Sequence, residues 1–386
     1  MSSALADAGH RAELGALLEL VSLPAAGPAR LRVLLAGRSA QTAVEDLRAG
    51  RPATLAALGA CRGVDTALIA SWRQRLGAAL RRAEAGGWQV GADRLDAHER
   101  AGVWLQLPWQ AGAAGLWESD PEPPAVLFGQ GTPIDAALRR VGIVGTRRCS
   151  AYGRTVARML GSGLAAEGIA VVSGLATGID GIAQRAALDR DGPVIGVVGS
   201  GLDRVYPAAN RTLWAEVAER GTLLSEYPLG TQAVQWHFPA RNRILAALCE
   251  VLVVVESGPS GGSMYTVDAA AERGRQVMAV PGPITSASST GTNRLLAEGC
   301  APVCGVDDVL VALGEARGDV GVPAARELPD DPLSRRILDE LTGEPRSVDQ
   351  LVMGTGASLG ELASTLGRMQ LSGWVVETGG WWEKAR

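Results

Sequence analysis

Between Val141 and Gly282 the chain repeats one pattern, in which a short apolar run rich in valine and isoleucine precedes a longer helical stretch. The runs read VGIVG, IAVVSG, VIGVVGSG, EVLVVVES and QVMAVPG. Apolar runs of this length that alternate with helices are typical of parallel strands buried on both faces. The pattern therefore predicts an α/β fold with a Rossmann-like, doubly wound and mainly parallel sheet.

The first part of the chain has helical rather than strand periodicity. Its apolar stripe includes Leu14, Leu17, Leu18 and Val21. We predict a small helical domain over residues 1–108, of the SAM or helix-hairpin-helix type. The segment Pro24–Arg30, PAAGPAR, places glycine and proline between two helical stretches. It resembles the turn of a helix-hairpin-helix, which either contacts a DNA backbone or only connects the helices.

The remaining chain divides by composition. We predict a Rossmann-like domain at 109–312, opening with an extended connector at 109–140, then a linker at 313–331 and a winged-helix-like domain at 332–386. The last domain has a helix from Ser358 whose apolar stripe is Leu359, Leu362, Leu366 and Met369, and a hairpin-like tail, SGWVVETGGWWEK. Arg368 is the only cation of that helix, which favours a protein-contacting or structural role over DNA reading.

Composition limits the class of protein. The 386 residues contain no apolar run long enough to span a membrane and no signal-peptide pattern, so a cytoplasmic location is expected. Five cysteines without a CxxC pair, and three histidines, do not favour a metal site or a disulfide framework. The net charge is −4, and Lys384 is the one lysine among 37 basic residues, so only local clusters of arginine indicate an anionic partner.

One such cluster follows the first strand of the repeat, where the sequence reads GTRRCSAYG from Gly145 to Gly153. Ligands of open α/β sheets bind beyond the carboxyl ends of the strands. Thr146, Arg147 and Arg148 therefore combine guanidinium groups with loop and helix-terminal N–H groups, which suits phosphate. GxGxxG and GxxxxGK[ST] patterns are absent, so NAD or ATP is not expected. The alternative is that these arginines are ordinary surface residues.

Two further loops extend the candidate site. Gly174 opens the glycine-rich turn GLATGIDG, in which the chain can approach a ligand closely, and Asp180 is expected to cap the next helix. After VIGVVGSG, Arg204 and Arg211 supply two more possible phosphate contacts.

A last segment interleaves aromatic, cationic and amide side chains. It reads His237, Phe238, Pro239, Ala240, Arg241, Asn242 and Arg243. A ring between such groups suits a base that stacks while arginines hold its backbone. In the alternative interpretation, Phe238 belongs to the core and Arg241 and Arg243 form ion pairs with Glu226 or Glu250.

The ordered strings GTRRCSAYG, SGLATGID, GSGLDRVYP, SEYPLG, HFPARNRI, GRQVMAVPG and TGTNRLLAEG resemble the DNA-processing protein A family, also called Smf. The resemblance is strong from Val141 to Val311 and weaker over both flanking domains. It implies a protein that binds single-stranded DNA without sequence preference, shields it from nucleases and helps to load the RecA recombinase during transformation. It also implies a homodimer formed through the Rossmann-like domain, with no catalytic residue, cofactor or metal.

The resemblance assigns the DNA pocket to Arg147, Phe238, Arg241, Asn242 and Arg243, with Arg204 and Arg211 as weaker candidates. This chain departs from the family pattern at Gln184, where histidine is usual, and in the glycine-rich loop Gly261–Thr266. We expect these changes to alter the floor of the pocket.

Three other functions are compatible with parts of the sequence. PSGGSMYT partly resembles the glycine-rich loop of nucleotide phosphoribohydrolases, with Asp268 near the position of their carboxylate. A nuclease would need Asp180, Asp203 and Glu226 as metal ligands. A pure assembly module would have no affinity for DNA.

Overall fold

The computed structural model describes residues 2–86, 90–108, 114–117, 120–314, 329, 331–342, 345–378 and 380–384. The chain divides into two compact units, 1–316 and 317–386. Most of the predicted linker at 313–331 and the start of the predicted connector, 109–113, lie outside the described residues.

The first unit begins with helices. They are α1 (Ser2–Val21), α2 (Pro28–Leu35), α3 (Ala40–Ala49), α4 (Pro52–Gly59), α5 (Thr66–Gly86) and α6 (Ala92–Arg100). Pro28 starts α2 at a position where a missing N–H costs nothing. Trp72 of α5 is fully buried, and its indole N–H donates to the carbonyl of Pro24 at 2.7 Å. The Pro24–Arg30 turn is thereby attached to the core of the helices.

The same unit continues into the sheet. Its elements are β1 (Val103–Gln106), α7 (Ala114–Trp117), β2 (Leu127–Gly131), β3 (Arg140–Val144), α8 (Ala151–Ala166), β4 (Ala170–Ser173), α9 (Ile179–Leu188), β5 (Val194–Val197), α10 (Arg211–Arg220), β6 (Thr222–Ser225), α11 (His237–Leu248), β7 (Val251–Val254), α12 (Met264–Glu272), β8 (Gln276–Ala279), α13 (Thr290–Ala297), β9 (Ala301–Pro302) and α14 (Val306–Ala312).

The strand order is β1-β2-β6-β5-β4-β3-β7-β8-β9. Neighbours from β6 to β9 are parallel, whereas β1 and β2 add an antiparallel edge. The predicted Rossmann-like, mainly parallel sheet is therefore confirmed, and its five predicted strands are β3, β4, β5, β7 and β8. The order reverses between β3 and β7, which places the topological switch point there.

Several strands were not predicted. β1 lies inside the segment that was expected to be helical, and β2 lies in the expected connector. Their short sequences, VWLQ and LFGQG, lack the valine-rich signature because only part of each strand is buried. The N-terminal helices and the sheet share one hydrophobic cluster, which contains both Leu17 and Val171.

The second unit is a winged helix. It contains α15 (Pro332–Glu340), β10 (Arg346–Ser347), α16 (Val348–Thr355), α17 (Leu359–Leu371), β11 (Val375–Thr378) and β12 (Trp381–Lys384). The predicted hairpin forms between β11 and β12. Leu362, Leu366 and Met369 are buried as expected. Leu359 is 61% exposed, which corrects the prediction: it is the first residue of α17, directly after the N-cap Ser358, and lies at the exposed end of the apolar stripe.

Helices α8 and α9 pack closely and present the loops that follow β3 and β4. A Cβ atom at Gly161 of α8 would lie 2.2 Å from the carbonyl oxygen of Ala183 in α9. Such contacts are too short for a side chain, so glycine sets the distance between the two helices.

We expect Gly161→Val to lower the free energy of unfolding by about 1–3 kcal/mol, because the added atoms force α8 and α9 apart. Thr155→Val, at an exposed site of the same helix, is the control and should stay within about 0.5 kcal/mol of the wild type. Urea denaturation followed by tryptophan fluorescence measures both. Equal effects of the two substitutions would contradict this account of helix packing.

Candidate nucleic-acid interface

A cavity of about 640 Å³ lies at the switch point of the sheet, and we call it the first cavity. Its wall is formed by residues 144–148 after β3, by one face of α11, and by the loop 261–266 that leads into α12. The predicted residues Gly145, Thr146, Arg147, Arg148, Phe238, Arg241 and Asn242 all line it. Residues from separated parts of the chain therefore meet at one edge of the sheet.

Glu256 holds the loop that carries the two arginines. This carboxylate is 2% exposed and accepts hydrogen bonds from the backbone N–H, at 2.9 Å, and the hydroxyl of Ser150. The carbonyl of Glu256 accepts the N–H of Thr146 at 2.7 Å. The hydroxyl of Ser150 in turn accepts the N–H of Gly153, which caps α8.

The expected phosphate site at the N-terminus of α8 is therefore only partly available. Protein oxygens already accept the N–H groups of Thr146, Arg148, Ser150 and Gly153. Sequence reasoning missed Glu256, although a carboxylate directly after a buried parallel strand was a usable signal. An anion at this edge would be bound mainly by side chains.

Arg147 and Arg148 are the available cations of the first cavity. Both are exposed, and neither guanidinium has a hydrogen-bond or ion-pair partner among the described residues. The guanidinium carbon of Arg147 lies 5.4 Å from the centre of the Phe238 ring. The Phe238 ring is half-buried and packs at 5.2 Å from the ring of Tyr206, which is 44% exposed. A cation and two rings thus share one surface.

The HFPARNR segment forms the first two turns of α11. Helical spacing therefore decides which of its side chains face the first cavity. Phe238, Arg241, Asn242 and Leu245, at positions i, i+3, i+4 and i+7, line it. Arg243 falls on a different face of the helix and does not.

Arg241 forms part of the floor of the cavity and is buried there. The residue is 7% exposed, and its guanidinium donates to the carbonyls of Gly174, at 3.1 Å, and Val197. Burial lowers the pKa of Arg241 to about 10, an effect that the nearby carboxylate of Asp180 opposes. The side chain remains cationic at neutral pH. A Cβ atom at Gly174 would lie 2.6 Å from this guanidinium, so this glycine makes room for Arg241.

Asp180 is buried in the first turn of α9 and is not the expected helix cap, which is Gly178. Its carboxylate accepts the N–H of Gly174 at 3.0 Å. Burial raises the pKa of Asp180, while the Coulombic attraction of Arg241 acts in the opposite direction. Among the described residues, Asp180 is the only carboxylate that lines the first cavity.

Arg243 and His237 have structural partners. Arg243 forms a buried ion pair with Glu226, as the alternative interpretation proposed. Glu250 instead pairs with Arg139 at 2.8 Å. His237 is buried, its Nδ1 lies 2.9 Å from the carbonyl oxygen of Gly199, and burial lowers its pKa. We therefore remove Arg243 and His237 from the set of candidate contacts in this cavity.

Arg204 and Arg211 are exposed but do not line the first cavity. Arg204 pairs with Asp203 at 3.2 Å. Gln184 is fully buried, accepts the N–H of Leu175 and donates to the carbonyl of Ile195. It joins the loop after β4 to strand β5 and does not line the first cavity, so the expectation that it alters the pocket floor was wrong.

The altered loop does contribute to the cavity. Gly261, Gly262, Ser263, Tyr265 and Thr266 all line it, and Tyr265 is 58% exposed. Sequence reasoning did not assign Tyr206 and Tyr265 to the site. Tyr206 stands two residues after the nominated Arg204, which was a usable signal, whereas Tyr265 has no cation near it in the sequence. Only folding places them beside Arg147.

The described residues do not assemble the other proposed active sites. No group of three or more His, Cys, Asp or Glu side chains that could hold a metal ion occurs in this part of the chain. Glu226 is paired with Arg243, and Asp203 accepts the N–H of Gly230. Asp268 does not line the first cavity. Within the same residues, no helix is both long and apolar enough to cross a bilayer.

The family model for DNA recombination-mediator protein A matches residues 114–314, more than half of the chain, and the DprA winged helix domain matches residues 322–380. The chain belongs to this family. Protein Smf of Escherichia coli is 33% identical over 68% of this chain and 72% of its own length. The X-ray structure of DNA processing protein A from Streptococcus pneumoniae is 31% identical, with a TM-score of 0.61 over 78% of this chain and 97% of that one.

A relative from Mycobacterium tuberculosis, a putative DNA processing protein DprA, is 37% identical over 65% of this chain. The chain spans only 66% of the length of that relative. These matches establish the family and the fold. The activity and the partners of the whole protein are proposed below.

We expect Glu256→Gln to lower the free energy of unfolding by about 1–3 kcal/mol, because an amide cannot accept both hydrogen bonds of Ser150. Glu219→Gln, at an exposed position of α10, is the control and should change stability by less than about 0.5 kcal/mol. Urea denaturation measures both. A Glu256→Gln protein as stable as the control would show that this carboxylate does not hold the loop.

Proposed function

We propose that the first cavity binds single-stranded DNA. The observation that carries the proposal is the position of the Arg147 guanidinium above the Phe238 ring, beside the equally exposed Arg148. Guanidinium groups bind phosphate oxygens, and an aromatic ring stacks on a nucleobase. This combination suits a single strand, whose bases are available for stacking, better than a duplex, whose bases are paired.

The expected binding has little sequence preference. Stacking on Phe238 or Tyr206 accepts any base, because every base has a π-face. Arg147 and Arg148 would contact phosphates, which are the same at every nucleotide. The buried Arg241 adds positive charge beneath the strand and holds the loops in place, but it does not need to touch DNA.

The cellular role follows from the family resemblance. We infer that the protein acts in the cytoplasm, protects incoming single strands during transformation and promotes loading of the RecA recombinase, without catalytic turnover. A homodimer through the Rossmann-like domain would present two cavities to one strand. Sedimentation analysis tests the dimer, and the rate of RecA filament growth on protein-coated strands tests the loading function.

We expect Arg147→Ala to weaken binding to single strands by about 1–2 kcal/mol, since a charge-assisted contact to phosphate is lost. The slope of log K against log salt concentration should become shallower by about 0.7. Fluorescence anisotropy with labelled oligothymidylates across a salt series measures both quantities.

Arg190→Ala is the matched control for Arg147→Ala. Arg190 is exposed and follows the carboxyl end of α9, at the opposite edge of the sheet. Its removal should change neither affinity nor slope. If the two substitutions have the same effect, binding is not localised to the first cavity.

The affinity should also depend on pH through Asp180. Because burial raises the pKa of Asp180, its carboxylate takes up a proton at a higher pH than an exposed aspartate does. The cavity then loses a negative charge, so the affinity for an anionic strand should rise as the pH falls through the range in which Asp180 takes up its proton. Asp180→Asn should lack this component, as measured by anisotropy at constant ionic strength. Parallel pH curves for the two proteins would refute it.

A further inference from the structure

Helix α11 presents a second face that the first cavity does not use. Trp236, Pro239, Ala240 and Arg243 follow one another at positions i, i+3, i+4 and i+7, and they line a separate cavity of about 650 Å³. We call this the second cavity. A second wall is formed by residues 25–32, which comprise most of the Pro24–Arg30 turn and the start of α2. The exposed side of α12 forms a third wall.

The two cavities are adjacent. Pro239 and Tyr265 line both of them, so these two side chains form the boundary between the cavities. Tyr265 is 58% exposed. A strand that leaves the first cavity over Pro239 and Tyr265 would reach Trp236 next.

The ring of Trp236 is exposed to solvent but packs against a neighbouring ring. Its side chain is 56% exposed, and its ring packs edge-on against His237, with the ring centres 4.1 Å apart. His237 is in turn stacked on the buried Tyr227 at 3.9 Å. A Cβ atom at Gly27 of the N-terminal turn would lie 3.8 Å from the edge of the indole. The His237 ring therefore restrains the indole, and a restrained ring loses little conformational entropy when a base stacks on it.

The charges of the second cavity are largely paired. Arg32 pairs with Glu122 at 3.0 Å, and Arg243 pairs with Glu226. Arg30 donates to backbone carbonyls. Asp268 and Glu272 also line the cavity, so together with Glu122 its lining has three carboxylates against three arginines. Near-neutral walls with an exposed indole suit a base rather than a phosphate.

We propose that the second cavity is a stacking subsite for the bases of the single strand as it leaves the first cavity, with Trp236 as the platform. The inference rests on the proposed function of the first cavity. It also gives the Pro24–Arg30 turn a role, because this turn forms the wall opposite α11 rather than gripping the DNA backbone.

The test compares oligothymidylates of about 4 and about 16 nucleotides, since only the longer strand can extend into both cavities. Trp236→Leu removes the aromatic ring, and Trp236→Phe retains one. We expect Trp236→Leu to weaken binding of the long strand by about 5- to 100-fold, with little change for the short strand, and Trp236→Phe to restore most of the loss. The unchanged affinity for the short strand also reports that the first cavity remains folded.

Other outcomes separate the two proposals. If Arg147→Ala weakens both strands and Trp236→Leu weakens neither, the first cavity binds DNA and the stacking subsite is wrong. Equal losses for short and long strands in Trp236→Leu would also refute a separate subsite. If wild-type protein binds neither strand, the proposed function itself fails. Dissociation of a DNA-free dimer by Trp236→Leu, seen by sedimentation, would assign the second cavity to another copy of the chain.

Photocrosslinking gives a second readout that needs no variant. A strand of about 16 nucleotides carrying 5-iododeoxyuridine at successive positions should crosslink to peptides that contain residues 146–148 from one part of the strand, and to peptides with Trp236 or Tyr265 from another. Crosslinks confined to the first cavity for every position of the label would overturn the proposal.

Discussion

The buried guanidinium of Arg241 is the interaction on which the site depends. It donates to the carbonyls of Gly174 and Val197, which lie at the carboxyl ends of neighbouring strands, and Asp180 supplies a counter-charge. A guanidinium so deeply buried costs a large desolvation free energy unless its hydrogen bonds and charge are compensated. Two strand ends and α11 are therefore held in one arrangement, and the first cavity is the space that this arrangement leaves.

The arginines near the first cavity fall into two groups, one buried and one exposed. Arg241 and Arg243 are buried with protein partners and stabilise the fold around the cavity, whereas Arg147 and Arg148 remain exposed on a loop that Glu256 holds from below. Carboxylates and carbonyls thus compensate the inner arginines, whereas the outer pair is available for the DNA strand that we propose as the ligand. A net charge of −4 is compatible with that ligand, because the relevant charge is local.

Helix α11 lines both cavities, and its periodicity decides which of its residues face each one. Residues three and four apart lie on one side of a helix, so Phe238 and Arg241 face the first cavity while Trp236 and Arg243 face the second. A strand bound along both faces would pass from a charged region to a nearly neutral, aromatic one. The N-terminal helices would then take part in the proposed binding surface, since the Pro24–Arg30 turn between α1 and α2 lines the second cavity.

The sequence alone determined the fold class, because buried parallel strands must be continuously apolar, as in VGIVG and VIGVVG. It also located Arg147, Arg148 and Phe238, since residues after such strands gather at one edge of the sheet. Only the tertiary structure decided which arginines are available, because burial and pairing depend on residues distant in the chain, such as Glu226 and Glu256. The partly buried strands β1 and β2, and the positions of Tyr265 and Trp236 around α11, likewise depend on packing, which local sequence patterns do not encode.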